Sequence, residues 1–267
     1  MNNVLGPSGA VEAYLERLRD RGPRASRPAQ FVDTLLSMPA SRVGIAFRLR
    51  GSTAVLGGGG PFELALDWIR GGRERTVVAG GGECQSPKCL RYHRALAERS
   101  GTKRAHLAQG AAFVVLEAPD RAKERGASAL AEILGAGAAS EPQEVSQPWP
   151  ADAEGRAFAV AMGAALADAG VEPDEVRSVA LAAGDDASEA GELAALRAVF
   201  GDCAGTLQLL RPKRLLGEAL GASGSLALLA VLAATGASED GAPTVALVNT
   251  FEMGGAVSSL VVRVPSP

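Results

Sequence analysis

Several residues in this chain have types and spacings that could carry chemistry. Cys84, Cys89 and His93 follow one another as Cys-x4-Cys-x3-His, two thiols and an imidazole that could ligate a metal. A structural zinc site needs a fourth ligand and usually tighter spacing, so incidental thiols in a polar stretch explain the pattern better, and no metal is expected. The chain has two histidines, His93 and His106, set among Arg91, Arg94, Lys103 and Arg104. A Ser-His-Asp or Cys-His-His arrangement is hard to assemble from so few, and both read as solvated side chains. Asp185, Asp186, Glu189 and Glu192 form an acidic cluster, but Asp-Asp-Ala-Ser-Glu opening a helix is explained by capping and by the helix dipole. The glycine run at 57–60 invites a phosphate-loop reading, yet it lacks the Lys-Ser/Thr ending that reaches terminal phosphates and Mg²⁺. Gly135-Ala-Gly137 follows a strand but runs into Glu141-Pro142, which removes the dinucleotide reading. Both glycine stretches read as turns, and no cofactor is expected.

The elements that must position such residues belong to a soluble globular chain. Of its 267 residues 47% are apolar, 21% charged and 4% aromatic, which excludes disordered, collagen-like and disulfide-rich classes. Twenty-seven Lys and Arg against 30 Asp and Glu leave a net charge of −3 with no basic block, so nucleic acid is not an expected partner. Three cysteines make no disulfide framework, and the start Met1-Asn2-Asn3-Val4 has no basic or apolar leader, so the expected location is the cytoplasm. The uncharged stretch 219–236, ALGASGSLALLAVLAATG, is nearly long enough to cross a bilayer, but half of it is Ala, Gly and Ser and no second such segment follows. It reads as a fully buried core helix and not as a membrane span.

Apolar runs predict strands at 43–49, 53–56, 76–79, 112–117, 130–134, 178–182, 206–210, 244–248 and 259–264. Helical patterns alternate with them at 9–20, 30–38, 61–71, 153–169, 187–199 and 215–235, an α/β pattern with buried parallel strands. Residues 138–153 contain Pro142, Pro148 and Pro150 and no apolar face, so they read as a surface connection. That divides the chain into an N-terminal half at 1–137, a loop at 138–153 and a C-terminal half at 154–267. Each half ends in a helix, a strand running into glycines, and a further strand.

A series of phrases in order along nearly the whole chain resembles the β-ketoacyl-ACP synthases, the condensing enzymes of fatty-acid and polyketide assembly. They include Val77-Val-Ala-Gly-Gly-Gly-Glu83, Gln109-Gly-Ala-Ala-Phe-Val-Val-Leu-Glu117, Ala165-Leu-Ala-Asp-Ala-Gly170, Pro212-Lys-Arg-Leu-Leu-Gly-Glu-Ala-Leu-Gly-Ala-Ser-Gly224 and Asn249-Thr-Phe-Glu-Met-Gly-Gly255. The resemblance implies a thiolase-like α-β-α-β-α sandwich of five layers, made of two related halves and normally dimeric. It also implies that a first strand, a helix and a long insertion of the family are missing ahead of Val4, so the N-terminal half is shortened.

The departures bear on chemistry. By the resemblance, the nucleophilic Cys that ends a strand and opens a buried helix falls at Val55. The first catalytic His falls at Ala183 and the second at Glu218, while the family's Lys is kept as Lys213. The acyl-facing glycine gate becomes Glu252-Met253-Gly254-Gly255. Decarboxylative condensation needs a thiolate to hold the acyl chain and two imidazoles to stabilise enolate and oxyanion, so no catalytic residue is expected here. The expected role is a non-catalytic partner, similar to a chain-length factor, paired with an active β-ketoacyl synthase subunit or with itself and visited by acyl carrier protein. Two alternatives stand beside it. One is an acyl-thioester enzyme rebuilt on Lys213 and Glu218, with the carboxylate as base; the other is a stand-alone acyl-binding or interaction protein.

Overall fold

The computed structural model describes residues 1–58, 60–100, 106–141, 152–235, 242–252 and 254–265. Gly59, Lys103, Arg104, Met253 and residues 142–151 of the expected connection lie outside this description. In chain order, α1 (Ser8–Arg21), α2 (Pro28–Val32), α3 (Met38–Ala46) and α4 (Pro61–Arg70) precede β1 (Thr76–Glu83). Next come α5 (Pro87–Ser100), β2 (Gly110–Glu117), α6 (Pro119–Glu124), β3 (Glu132–Ser140), α7 (Arg156–Ala169), β4 (Val176–Ala180) and α8 (Asp186–Phe200). The chain finishes with β5 (Gln208–Leu210), α9 (Pro212–Leu216), α10 (Ser223–Thr235), β6 (Thr244–Phe251) and β7 (Ala256–Val264).

β1 and β2 form an antiparallel pair, and the other strands form a five-stranded sheet in the order β3-β7-β6-β4-β5. The sheet is mixed where parallel strands were expected: β4 runs parallel to β5 and β6, while β7 is antiparallel to β6 and β3. The strands are apolar on both faces because both faces are covered. Val245, Leu247, Val257 and Val261 meet α7 and α8, and Ala246, Val248, Leu260 and Val262 meet the layer of α4 and α10. That inner helix layer also carries β1 and β2, so the order of layers is helices, sheet, helices, sheet. The outer face of β1–β2 leaves Val78, Phe113 and Val115 exposed.

α10 bears out the core-helix reading of the uncharged stretch, with Val231 fully enclosed between the sheets. None of the described helices is long and apolar enough to cross a membrane.

Other expectations are corrected. Residues 43–49 are not a strand. Pro39 in the first turn presets the helical φ of α3, and the turn ends where Phe47 and Arg48 leave the helix, Arg48 at φ 53°. The 53–56 run has a single ladder contact, Leu56 with Asn2. The helix expected at 215–235 is broken between α9 and α10 by Gly217 at φ 86° and Leu220 at φ 46°. α5 was not expected. Its sequence is mostly polar, and it buries only a narrow stripe that includes His93 and Leu96.

Gly135-Ala-Gly137 is not a turn but the middle of β3, and β3 crosses the expected boundary at 137 to pair along its length with β7. The glycines serve packing. A Cβ on Gly135 or Gly137 would run into the backbone of α7 at Ala161, Ala165 and Ala169, so their absence of side chain lets the helix lie directly on the strand.

Gly137→Val should therefore destabilise the fold by about 1–3 kcal/mol or more through overpacking. Gly163→Ala lies in α7, where an added Cβ meets nothing within 4 Å; it should stabilise by about 0.5–1 kcal/mol. Thermal unfolding of the two variants side by side checks the contrast.

Candidate functional site

At the seam where β1 crosses the turn around Gly221, two backbones lie very close. A Cβ on Gly81 of β1 would strike the carbonyl of Gly221, and one on Gly221 would crowd Asn2 and Asn3. Around this crossing the described residues bury an unusual number of polar side chains: Asn2, Asn3, Glu83, Lys213, Glu218, Ser223 and Glu252.

Lys213 stands in α9 and Glu218 in the break that follows it. Glu218 Oε2 lies 2.6 Å from Lys213 Nζ, with both side chains buried. Its other oxygen accepts hydrogen bonds from Leu220 N at 2.8 Å and Ser223 Oγ at 2.7 Å. The backbone here is pinned as well. Glu218 N donates to His106 O at 2.8 Å and Ala108 N donates to Glu218 O at 2.9 Å. Such over-determination is what holds Leu220 in a left-handed conformation.

Glu252 follows β6. Asn2 Nδ2 donates to its Oε1 at 2.7 Å, while Asn2 Oδ1 accepts from Gly58 N at 3.3 Å. Burial pushes the Glu252 carboxyl up to about 8; the charge of Lys213 opposes the shift, and the neighbouring Glu218 and Glu83 add to it. Glu83 accepts from Val4 N at 2.9 Å and Leu5 N at 3.3 Å, and burial likewise raises its carboxyl. On the far side, Glu192 of α8 is fully buried. It accepts from Ala182 N and Ala183 N, both at 2.9 Å, and from Asn249 Nδ2 at 2.8 Å. Burial raises its carboxyl, and these bonds and Lys213 oppose the rise.

Three of the four positions singled out from the sequence, Ala183, Lys213 and Glu218, belong to this network, and Val55 lies beside it. Val55 lies on the segment whose next residue bridges to Asn2, Asn2 binds Glu252, and Glu252 feels Lys213 and Glu218. Ala183 is bound by Glu192, which also feels Lys213. Val55 does not open a helix, because α4 begins only at Pro61 after the glycine run. A cleft of about 340 Å³ lies next to Val55, among α3, α4, β1 and the 52–56 segment; Ala54 and Leu56 line it together with Val43, Leu64, Trp68 and Phe113. None of Val55, Ala183, Lys213 or Glu218 lines it.

The remaining candidates stay apart. Cys84 is exposed beyond the end of β1, where its Sγ meets Gln109 Oε1 at 3.6 Å. Cys89 and His93 lie on α5, and His93 is buried where a solvated side chain was expected. Among the described residues no three His, Cys, Asp or Glu group so as to hold a metal. In the acidic cluster Asp185 does cap α8, accepting from Ser188 N at 3.0 Å. Glu189 is spent on Arg211 at 2.9 Å and Arg214 at 2.6 Å, and Glu192 goes to the buried network. Capping alone did not foresee these last two roles. Asn2, Glu83 and Glu192 gave no local signal. Their partners are brought near only by the fold, as with Asn2 and Glu252, 250 positions apart.

Chemically, the arrangement is a closed ion pair with protonatable carboxyls around it. Among the described residues it contains no thiol and no imidazole ring. Removing one partner of a buried pair leaves the other uncompensated, so Glu218→Ala should destabilise by about 3–5 kcal/mol. The double replacement Lys213→Met with Glu218→Leu should recover much of that loss, as measured by denaturant unfolding of the three proteins.

Residues 130–239 match the family model described as β-ketoacyl synthase, C-terminal domain. The 3-oxoacyl-[acyl-carrier-protein] synthase 2 of Coxiella burnetii (strain RSA 493 / Nine Mile phase I) is 30% identical over 252 residues, covering 86% of this chain and 60% of the relative. The chain therefore spans about three fifths of that relative's length. Among solved structures, a type II polyketide-synthase acyl-carrier protein in complex with its ketosynthase bound to the hexaketide matches with TM-score 0.85. The identity is 20%, over 99% of this chain and 77% of that one. The ishigamide ketosynthase/chain length factor matches with TM-score 0.81 at 22% identity, over 98% of this chain and 74% of that one. The fold is the thiolase-like fold of the ketosynthases.

Proposed function

We propose that this chain, a β-ketoacyl synthase-type protein of the thiolase superfamily, is a non-catalytic subunit that pairs with an active condensing enzyme in fatty-acid or polyketide biosynthesis. The observation that carries this reading is the state of the four matching positions. Val55 and Ala183 bear no reactive group, and Glu218 is locked to Lys213, Leu220 and Ser223 where the family has an imidazole. Condensation relies on a thiolate activated at a helix start and on donors aimed at developing charge. Val55 has neither the thiol nor the helix start.

Pairing is supported by apolar surface on α2, α3 and the residues after it. Phe31, Val32, Leu35, Leu36, Ile45 and Phe47 are exposed, Ile45 at 78% and Phe47 at 72%. So many large apolar side chains exposed on neighbouring stretches of chain favour an interaction surface there. A solved neighbour is a ketosynthase/chain length factor and another is an acyl-carrier protein with its ketosynthase. By that likeness the partner is a ketosynthase subunit, the visitor of the pair is acyl carrier protein, and the location is the cytoplasm. The alternative chemistry on Lys213 and Glu218 gains no support, because both oxygens of the carboxylate are already engaged.

Two measurements test the reading. Purified from its native host, the chain should carry an intact condensing enzyme in equal amount, and Ile45→Asp with Phe47→Asp should release it without unfolding the chain. Recovery of a stable chain with no such enzyme would overturn the pairing. Val55→Cys should give no acyl transfer, and its thiol should alkylate no faster at neutral pH than an ordinary cysteine of pKa about 8.5. A markedly faster thiol would show that the site is still built for a nucleophile.

A further inference from the structure

The antiparallel pairs β1–β2 and β6–β7 are built alike but finished differently. Val77 and Ala79 face the inner helices as Ala246 and Val248 do, and the ladder partner of Val77, Leu116, corresponds to that of Ala246, Val262. Val78 therefore corresponds to Leu247, Val115 to Val261 and Phe113 to Ser259. The outward face is closed in one pair and bare in the other. Leu247, Ser259 and Val261 are 0% exposed, whereas Val78 and Phe113 are 39% and Val115 59% exposed.

One continuous unit closes the second pair. β3 takes the free edge of β7, with Gly135 opposite Val261 and Gly137 opposite Ser259, and the chain returns as α7 over the outward face. The far edge of β2 has no ladder among the described residues. Edge strands normally carry a charge, a proline or a bulge that deters pairing. Residues 110–116, GAAFVVL, have neither charge nor proline, and they pair with β1 without a register shift.

A bare edge and a bare apolar face on one strand select the occupant that satisfies both. A second copy pairing β2 with β2 about a two-fold axis would fill the edge but set two bare faces side by side. A docked helix alone would cover the face and leave the edge open. A strand followed by a helix does both, as β3 and α7 do on β7. The face is also continuous with the α3 region, because Val78 and Phe113 line the same cleft as Val43 and Leu49.

We propose that the far edge of β2 and the face of Val78, Phe113 and Val115 receive a strand–helix unit of the partner chain. Its strand runs antiparallel to β2 with small residues opposite Phe113 and Val115, and its helix packs over the face. This rests on the pairing proposed above and adds a contact to that of α2 and α3.

The test is amide hydrogen exchange of the full chain, alone and in the complex purified from its native host. Alone, every second amide of β2 should exchange freely, because an edge strand has a partner on one side. In the complex those amides should slow by about tenfold or more. A benzophenone-bearing residue at position 115 should crosslink to a strand–helix segment of the partner. Val115→Asp, at a half-exposed position, should leave the chain folded and remove the protection. A complex in which β2 still exchanges freely, or keeps its protection in Val115→Asp, would overturn this contact and leave the pairing standing. A crosslink to a second copy or to a segment of the same chain would overturn it in favour of that occupant. Recovery of the chain without a partner would overturn the contact and the pairing together.

Discussion

Lys213 carries the only ammonium at the seam to which the described residues assign a close carboxylate partner, and several carboxyl groups depend on it. Glu218 takes it directly at 2.6 Å. Glu252 and Glu192 feel it from opposite sides while burial drives both toward the neutral form. The ion pair cannot be loosened alone, because Glu218 also fixes the backbone of residue 220 and the hydroxyl at the head of α10. The seam is therefore organised around charge neutralisation inside the protein. An open reactive site would leave those groups for a substrate.

The same constraint separates the frame of the molecule from the groups at the four matching positions. The fold is held together by close approaches at glycines such as Gly81 and Gly221 and by a sheet whose central strands are apolar on both faces. None of these requires a thiol or an imidazole at positions 55, 183 or 218. The frame therefore stands without such groups there. The carboxylate of Glu218 satisfies Lys213 as a local structural partner.

Much of the fold was legible in the residues. Continuous apolar runs located β6 and β7, and an uncharged apolar stretch located α10, because tertiary burial there agrees with local pattern. The misread elements are those where tertiary context overrides the pattern. Apolar residues 43–46 belong to a proline-led helix, α5 presents a polar sequence with a thin buried stripe, and Gly217 and Leu220 break what reads as one helix. The candidate site was half legible. Lys213 and Glu218 are five residues apart and could be seen as a pair, whereas Asn2, Glu83, Glu192 and Glu252 acquire their partners only by long-range folding. Glycine was the least transparent residue: at 135 and 137 it marks a helix pressed on a strand, which a local reading takes for a turn.

The position of β7 bears on how the chain reaches this state. It lies between β3 and β6, hydrogen-bonded to both. Until residues 256–264 have been made, β3 with its helix α7 has no strand to join, and β6 exposes a hydrogen-bonding edge. Without β7 the larger sheet is two unjoined pieces, each with an apolar face and an open edge. β7 thus acts as a keystone of the larger sheet, and whatever loosens it opens two strand edges at once.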